Sequence, residues 1–388
     1  MAPAVSIIHA QEKEDQPAAP NGGADAVEPE TGEDQENGEK EGKKGPSIIP
    51  IPIFITEPAI GYGLGGAVGY FHKKKDEADP SEGSTAPALT ANTAAKTGKR
   101  QKVPPTISGV AAAYTDKGTW GGGFAHTASW SEDSIRYTGA IGYAHIVSTF
   151  YIRNQPFDFE LDTGLLLQDI KFRIKDSDFF IGGKLVYFNP DLLFDHDPDD
   201  TPGGPEDTQL NDFGLAVQAD FDGRDNKMTP NRGQLVELVA WRHLEALGGE
   251  TDYWKLGFQV QSFHEMMNER LVLGFHLDVD TAGGDPPLWG YPWISMRGIP
   301  ALRYQNESAG VLETELRWNI LERWAAVGFV GVGATRGDVP LYEDESGIVA
   351  GGVGGRYLFR PQDNLWVGID VARGPEDTAV YIQAGHAW

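Results

Sequence analysis

The chain contains no cysteine, which excludes a disulfide scaffold and a thiolate metal site. Positive charge is scarce: 32 Lys and Arg face 57 Asp and Glu, for a formal net charge of −25. That balance argues against a nucleic-acid partner, because phosphate binding needs Lys and Arg. No apolar run approaches the ~18–20 residues of a membrane-spanning helix. A chain like this that lives in a bilayer must cross it as a closed barrel, since an open sheet leaves backbone groups unpaired in lipid. The enzyme signatures HExxH, GxxxxGK[ST] and GxSxG are also missing.

The chain is rich in glycine and aromatic rings, with 49 Gly, 10 Trp, 13 Tyr and 18 Phe in 388 residues. This composition favours strands and tight turns over helices. The hydrophobic period is two. Leu271, Leu273, Phe275, Leu277 and Val279 alternate with Val272, Gly274, His276, Asp278 and Asp280. Trp254, Leu256, Phe258 and Val260 alternate with Lys255, Gly257, Gln259 and Gln261, and Ile141 and Tyr143 follow the same rule. A soluble sandwich would alternate too, but the segment lengths and the Tyr and Trp near their ends favour a barrel facing lipid. The last stretch sets Val380, Ile382, Ala384 and Trp388 on one face, so Trp388 is expected at the lipid interface and, with Ile382, as a C-terminal assembly signal.

Sixteen strands are expected between residues 48 and 388, the first near 48–56 and the last near 378–388. The fold class is therefore all-β: a 16-stranded antiparallel transmembrane β-barrel. Short turns such as Met267-Asn268 and Lys175–Ser177 fall on one side and the long segments 190–208 and 282–308 on the other. Two connections break the rule by falling on the short-turn side: the low-complexity 73–104 insert, expected to be periplasmic, and Asp222–Arg232. Residues 1–47 are expected to hold a signal remnant (Met1–Gln11, lacking a basic start) and a disordered acidic tail.

Five stretches follow in a specific order: Pro50–Phe71, with Glu57-Pro58 and a glycine-rich strand; Arg224-Asp225-Asn226 with Pro230 and Gly233; Met296-Arg297-Gly298; Glu315-Leu316-Arg317; and terminal Trp388. This ordered set resembles the Omp85 superfamily (BamA/TamA, bacterial surface antigen D15) over about residues 48 to 388. The resemblance implies a sixteen-stranded barrel whose sixth outer loop, here 282–308, folds into the lumen. It matches Arg297 and Gly298 to the loop's Arg-Gly and Glu315 to its acidic wall partner. Ile299 stands where the family has an aromatic. In Phe329-Val330-Gly331-Val332-Gly333 a glycine replaces the family's second acid, so the expectation is a loop held by Glu315 alone. On physical grounds a guanidinium in a narrow lumen needs a carboxylate, and a bidentate pair orients the loop. From the residues alone, a solvated loop arginine remains the alternative. The family's periplasmic POTRA domains have no room in the ~47 residues before the first strand, which points to its POTRA-less, single-barrel branch.

Pro50 and Pro52 sit in the first strand and cannot donate to a ladder. Either they mark a poorly paired seam with the last strand, or they only shape the entry from the tail. Gly61–Gly66 satisfies GxGxxG but is followed by a strand pattern, not the helix a dinucleotide site requires. Asp195–Asp200 reads as a solvated acidic loop rather than a divalent-cation site. His276 and Asp278 share a face, with no serine placed to complete a triad.

The expected function is protein or lipid transport or assembly at the bacterial outer membrane. The alternatives are a plugged passive barrel and, less favoured, an outer-membrane hydrolase. No enzyme activity and no cofactor are expected. The expected partners are outer-membrane lipid, lipopolysaccharide and the barrel-assembly machinery during insertion, with the client unknown.

Overall fold

The computed structural model describes residues 47–388 apart from 58, 73–105, 153–154, 196–207, 268–269 and 362–363. The signal remnant and acidic tail, the 73–104 insert and residues 196–200 therefore lie outside the described residues. The strands are β1 (Ser47–Glu57), β2 (Gly61–Phe71), β3 (Ile107–Thr115), β4 (Trp120–Trp130), β5 (Ile135–Ile152), β6 (Gln155–Arg173), β7 (Phe179–Phe194), β8 (Thr208–Gln209) and β9 (Asp212–Asp222). They continue with β10 (Gly233–His243), β11 (Tyr253–Met266), β12 (Leu271–Gly284), β13 (Ser308–Leu321), β14 (Trp324–Arg336), β15 (Glu345–Arg360), β16 (Leu365–Arg373) and β17 (Thr378–Ala384). The two-residue β8 only flanks Asp191 and Leu192, which leaves sixteen strands in the wall. Each pairs antiparallel with the next, and β9 follows β7 directly.

The alternation read from the sequence is the alternation of the wall. Leu312, Val330, Val353 and Ile369 are 51%, 49%, 66% and 54% exposed on the outside. Gln218, Asp220, Gln261, His276, Glu313 and Asp370 are buried on the inside. A monomer in water does not present an apolar belt of this extent around its whole circumference. A barrel whose solvent is acyl chain does, with a polar lumen inside. No helix of the described residues is long and apolar enough to cross a membrane, which says nothing about strands. The GxGxxG stretch lies within β2.

The barrel is nearly closed. β17 comes alongside β1, yet among the described residues no hydrogen-bonded ladder joins them. Tyr62 explains part of this. Its N–H donates to Asp116 Oδ1 and its carbonyl accepts from the Asp116 N–H. Thr56, opposite Tyr62 in the register, must therefore point its own peptide groups away from β2. With period two, Pro52 and Pro50 do the same. Both missing donors fall on the edge that faces β17.

The rim that carries residues 285–307 is called the upper rim here, and the one where β1 starts and β17 ends the lower. β6 begins at Gln155 and β7 ends at Phe194, seven residues before the expected 162–174 and five after the expected 178–189, while β5 ends at Ile152, two residues past the expected 134–150. Their extra length stands above the upper rim. It is held there by a core of Phe150, Ile152, Phe159, Leu161, Leu192 and Phe194, against which Leu288, Trp289, Leu302, Leu341 and Tyr342 pack. This apolar cluster roofs the barrel. The sequence reading ends its strands short of most of these residues, in 151–161 and in the long segment 190–208; the structure continues β5, β6 and β7 through them.

The lower end is filled as well. The 223–232 segment, which broke the turn rule, folds inward. Arg224 Nε donates to Asp222 Oδ1 at 2.9 Å and Arg224 Nη1 to Gln261 Oε1 at 3.0 Å. The Thr229 carbonyl accepts from Asn364 Nδ2 at 2.7 Å. Burial, with Arg136 close by, pushes the Lys227 ammonium down to about 8 against the opposing pull of Asp133 and Asp222.

In the β4–β5 turn, Asp133 takes hydrogen bonds from Ser129 Oγ at 2.6 Å and Arg136 Nη2 at 2.7 Å. Burial alone would raise its pKa. The Arg136 and Ser129 bonds outweigh burial and hold the carboxyl at about 2, below its ordinary 3.8. A depressed carboxylate stabilises the fold above its unfolded pKa and loses that contribution as the pH falls through the folded value. Proteolysis at 223–232 is therefore expected to stay constant from neutral pH down to about 4 and to rise between about 4 and 2. In Asp133→Asn it should be faster at neutral pH, with that rise flattened.

Candidate functional site

Loop 285–307 folds on itself before it enters the lumen. Trp293 bridges Gln305, and the Ile294 N–H donates to the Tyr304 carbonyl at 3.0 Å. This paired neck aims the 296–302 tip downward. Gly298 adopts φ +91°, and a Cβ there would sit 3.1 Å from the Gly374 nitrogen, so only glycine fits the turn. Its N–H donates to the Tyr381 hydroxyl of β17 at 2.9 Å. The next turn of the tip reaches β1, where the Ala301 N–H donates to Glu57 Oε1 at 3.3 Å. The loop thus touches both strands of the unladdered seam.

The tip carries Arg297 into a buried nest. Arg297 Nη1 donates to Glu315 Oε2 at 2.8 Å and to Asp370 Oδ2 at 2.9 Å. Nη2 lies 3.6 Å from Glu313 Oε1. The guanidinium carbon sits 3.5 Å above the centre of the Phe329 ring, which adds a cation–π attraction away from water. Arg356 shares the nest: its Nη2 donates to Asp370 Oδ2 at 2.8 Å and its Nη1 to Oδ1. Two guanidinium groups and three carboxylates are packed together, and their charges compensate to within one unit.

The structure brings Arg297, Gly298 and Glu315 together. It corrects the expectation that Glu315 acts alone, because Asp370 on β16 and Glu313 on β13 also face Arg297. The glycine at 331 is no vacancy either. A Cβ there would overlap Met296 Sδ, and one at Gly333 would lie 2.6 Å from Ile294 Cγ2. The two glycines form a notch for the loop, whose Ile294, Met296, Ile299 and Tyr304 pack with Val311 and Ala350. Gly331→Asp, which supplies the acid that the resemblance led one to expect, is therefore expected to displace Met296 and to destabilise by about 1–3 kcal/mol. A lower urea midpoint in micelles would check this.

A second correction concerns Trp388. The last strand ends at Ala384, not at the terminus. Gly385, at φ +90°, turns the chain inward. Trp388 leaves the lipid interface and stacks on His276 at 5.3 Å. Its Nε1 donates to Glu313 Oε2 at 3.1 Å. Ile382 keeps its expected outward place, since Ala379 and Gln383 are buried and Tyr381 reaches the loop. His276 bonds Gln259 through Nε2 at 3.0 Å, a lumen contact within the wall. The sequence reading gave no role at the loop to Asp370, Arg356, Phe329 or Tyr381. All stand at inward positions of their strands, but nothing in the sequence says which inward residues meet across the lumen.

No family model matches the chain, and no curated protein matches it. Solved structures do. Superposition on BamA from Haemophilus ducreyi lacking POTRA domains 1–3 gives a TM-score of 0.55 at 9% identity, over 87% of this chain and 70% of that one. CdiB from Escherichia coli gives 0.54 at 10% identity over 87% and 62%. CdiB from Acinetobacter baumannii gives 0.52 at 9% identity over 87% and 59%. The chain spans less than two thirds of either CdiB. At such identities the likeness is one of fold: this chain is an outer-membrane-type β-barrel that resembles the Omp85 superfamily barrels of BamA and CdiB.

Proposed function

We propose that this barrel moves or inserts protein or lipid at the outer membrane, with its working surface at the β1–β17 seam and loop 285–307 as the lock on that seam. The carrying observation is the loop's position. One tip donates to Tyr381 on β17 and to Glu57 on β1, across the one junction of the wall that has no ladder among the described residues. Arg297, held by Glu315 and Asp370, keeps the tip there. In this reading the upper rim faces outward, the seam meets lipid and lipopolysaccharide, and the chain reaches the membrane through the barrel-assembly machinery. Pro50 and Pro52 keep the seam weak by removing two of its donors.

A second reading has its own support. The lumen is filled from above by 285–307 and from below by 223–232 and the C-terminal turn, as a plugged structural barrel would be. A deletion strain separates the two. Transport or assembly predicts an altered outer-membrane lipid or protein composition, restored by the wild-type chain but not by a chain whose seam is cross-linked through introduced cysteines. An unaltered composition, or full restoration by the cross-linked chain, supports the plug.

A further inference from the structure

We propose that the outer wall binds one glycerophospholipid of the leaflet at the lower rim, with its phosphate at His72, Ser108 and His126 and one acyl chain in a furrow that climbs from β5 to β10. Ser108 Oγ lies 2.8 Å from His72 Nε2 and 2.8 Å from His126 Nδ1. The three side chains share the outward parity of Tyr70, Val110 and Phe124, all exposed, at the level where β2 ends and β3 begins. A hydroxyl carries one hydrogen, so at least one of the two imidazole nitrogens donates to it. The other ring nitrogens, His72 Nδ1 and His126 Nε2, have no hydrogen-bond partner among the described residues. Tyr70 stands edge-on to His72 at 4.7 Å, and Trp130 stacks on Tyr137 at 5.8 Å. Rings of this kind mark the interface level of a membrane barrel, where phosphates lie.

The furrow begins beside this cluster. Ser108 pairs with His126, His126 with Gly139, Gly139 with Gln168, Gln168 with Leu185, Leu185 with Leu215 and Leu215 with Arg242. Head cluster and furrow thus lie on one cross-strand row. Gly183 forms the furrow's floor, Leu185, Leu215 and Val217 its walls, and Tyr137 and Arg242 its ends, around a volume of about 700 Å³. Val217 is 68% exposed, so the furrow opens to lipid and not to the lumen. Tyr137 is the third residue of β5, at its lower end, and Arg242 the last but one of β10, at its upper end, so the furrow climbs. Four strand spacings of ~4.8 Å make it ~19 Å long. One acyl chain, which fills about half of a ~30 Å hydrocarbon core, fits that length. Tyr137 joins the two parts. Its ring lies 6.2 Å from His126, and its hydroxyl donates to Gln168 Oε1. A Cβ at Gly139 would collide with that hydroxyl, so glycine there lets the tyrosine lie across the row. Polar at its low end and apolar above, the row follows the head-to-tail order of a lower-leaflet lipid. The site shares no residue with the Arg297 lock and does not depend on whether the seam opens.

The test is native mass spectrometry of the full-length barrel released from micelles that contain dioleoylphosphatidylglycerol or dioleoylglycerol, which has the tails but no phosphate. The wild type is expected to retain one phosphatidylglycerol and no dioleoylglycerol. His72→Ala combined with His126→Ala removes both imidazoles and is expected to cut retention about tenfold or more. Gly183→Phe fills the furrow from its floor and is expected to cut it as far. Heat-modifiable gel mobility shows whether each barrel is intact, and the two variants lie on different strands, so failure of one to fold leaves the other. No retention by the wild type, equal retention of dioleoylglycerol, or unaltered retention in the folded variants overturns the proposal. Loss in only one of two folded variants overturns the assignment at the other's end of the row. A greater loss in Arg242→Ala than in the double histidine variant overturns the orientation, in favour of an upper-leaflet lipid with its phosphate at Arg242.

Discussion

Arg297→Ala is expected to destabilise the folded barrel by about 3–5 kcal/mol, the range for removing one partner from a buried ionic cluster. It is also expected to free the 285–307 tip. With the guanidinium gone, Arg356 alone faces Glu313, Glu315 and Asp370, and the cluster goes from one excess negative charge to two. The carboxylates lose their hydrogen bonds as well, and buried groups left unpaired cost more than the lost attraction. The charge count makes a sharper expectation. Adding Glu315→Gln to Arg297→Ala removes one of the excess charges, so the double variant should be more stable than the sum of the two single variants predicts. Urea unfolding in micelles measures the cycle, and planar-bilayer conductance reads the loop. A folded single variant with wild-type stability and unaltered conductance would show that the nest does not hold the loop.

Asp370→Ala is expected to be as costly, about 3–5 kcal/mol, but through the wall rather than the loop. Both oxygens of Asp370 are used, and Arg356 has its closest partners there; the Gly355 carbonyl follows at 3.3 Å and the nearest other carboxylate, Glu315 Oε2, at 3.9 Å. Removing the carboxylate strands Arg356, which is buried between β15 and β16. Arg297 keeps Glu315 at 2.8 Å and the Phe329 ring, so the tip should stay docked. The two variants thus separate by readout. Both lower the urea midpoint, while loop cleavage and conductance rise markedly only in Arg297→Ala. Equal loop opening in the two would mean that Asp370, not Glu315, is the main anchor.

The barrel was legible because its signal is local. A residue's place in a strand decides whether it faces lipid or lumen, so Leu312 and Leu316 against Glu313 and Glu315 can be sorted by counting in twos. Arg297 and Glu315 were legible through a motif and its spacing. Trp388 was not, because alternation was extended through Gly385, where a left-handed turn ends the strand. Asp370 was not, because its contact with Arg297 depends on how three strands after β13 curve around the lumen. The glycine at 331 looked like a lost acid, and packing shows it to be room for Met296. The long strands β5, β6 and β7 carried no local mark of where the wall stops and the roof begins.

By itself, then, the sequence determined the strand class, the sorting of most strand side chains to the outer or inner face, and the candidate loop arginine. These follow from residue type and a period of two, which need no knowledge of distant neighbours. Only the tertiary structure decided that Arg297 answers to three carboxylates, that one loop touches both seam strands, and that the C-terminal ring turns into the lumen. Those facts arise from closing the sheet on itself, which brings together residues as far apart in the chain as Glu57 and Ala301 or Glu313 and Trp388.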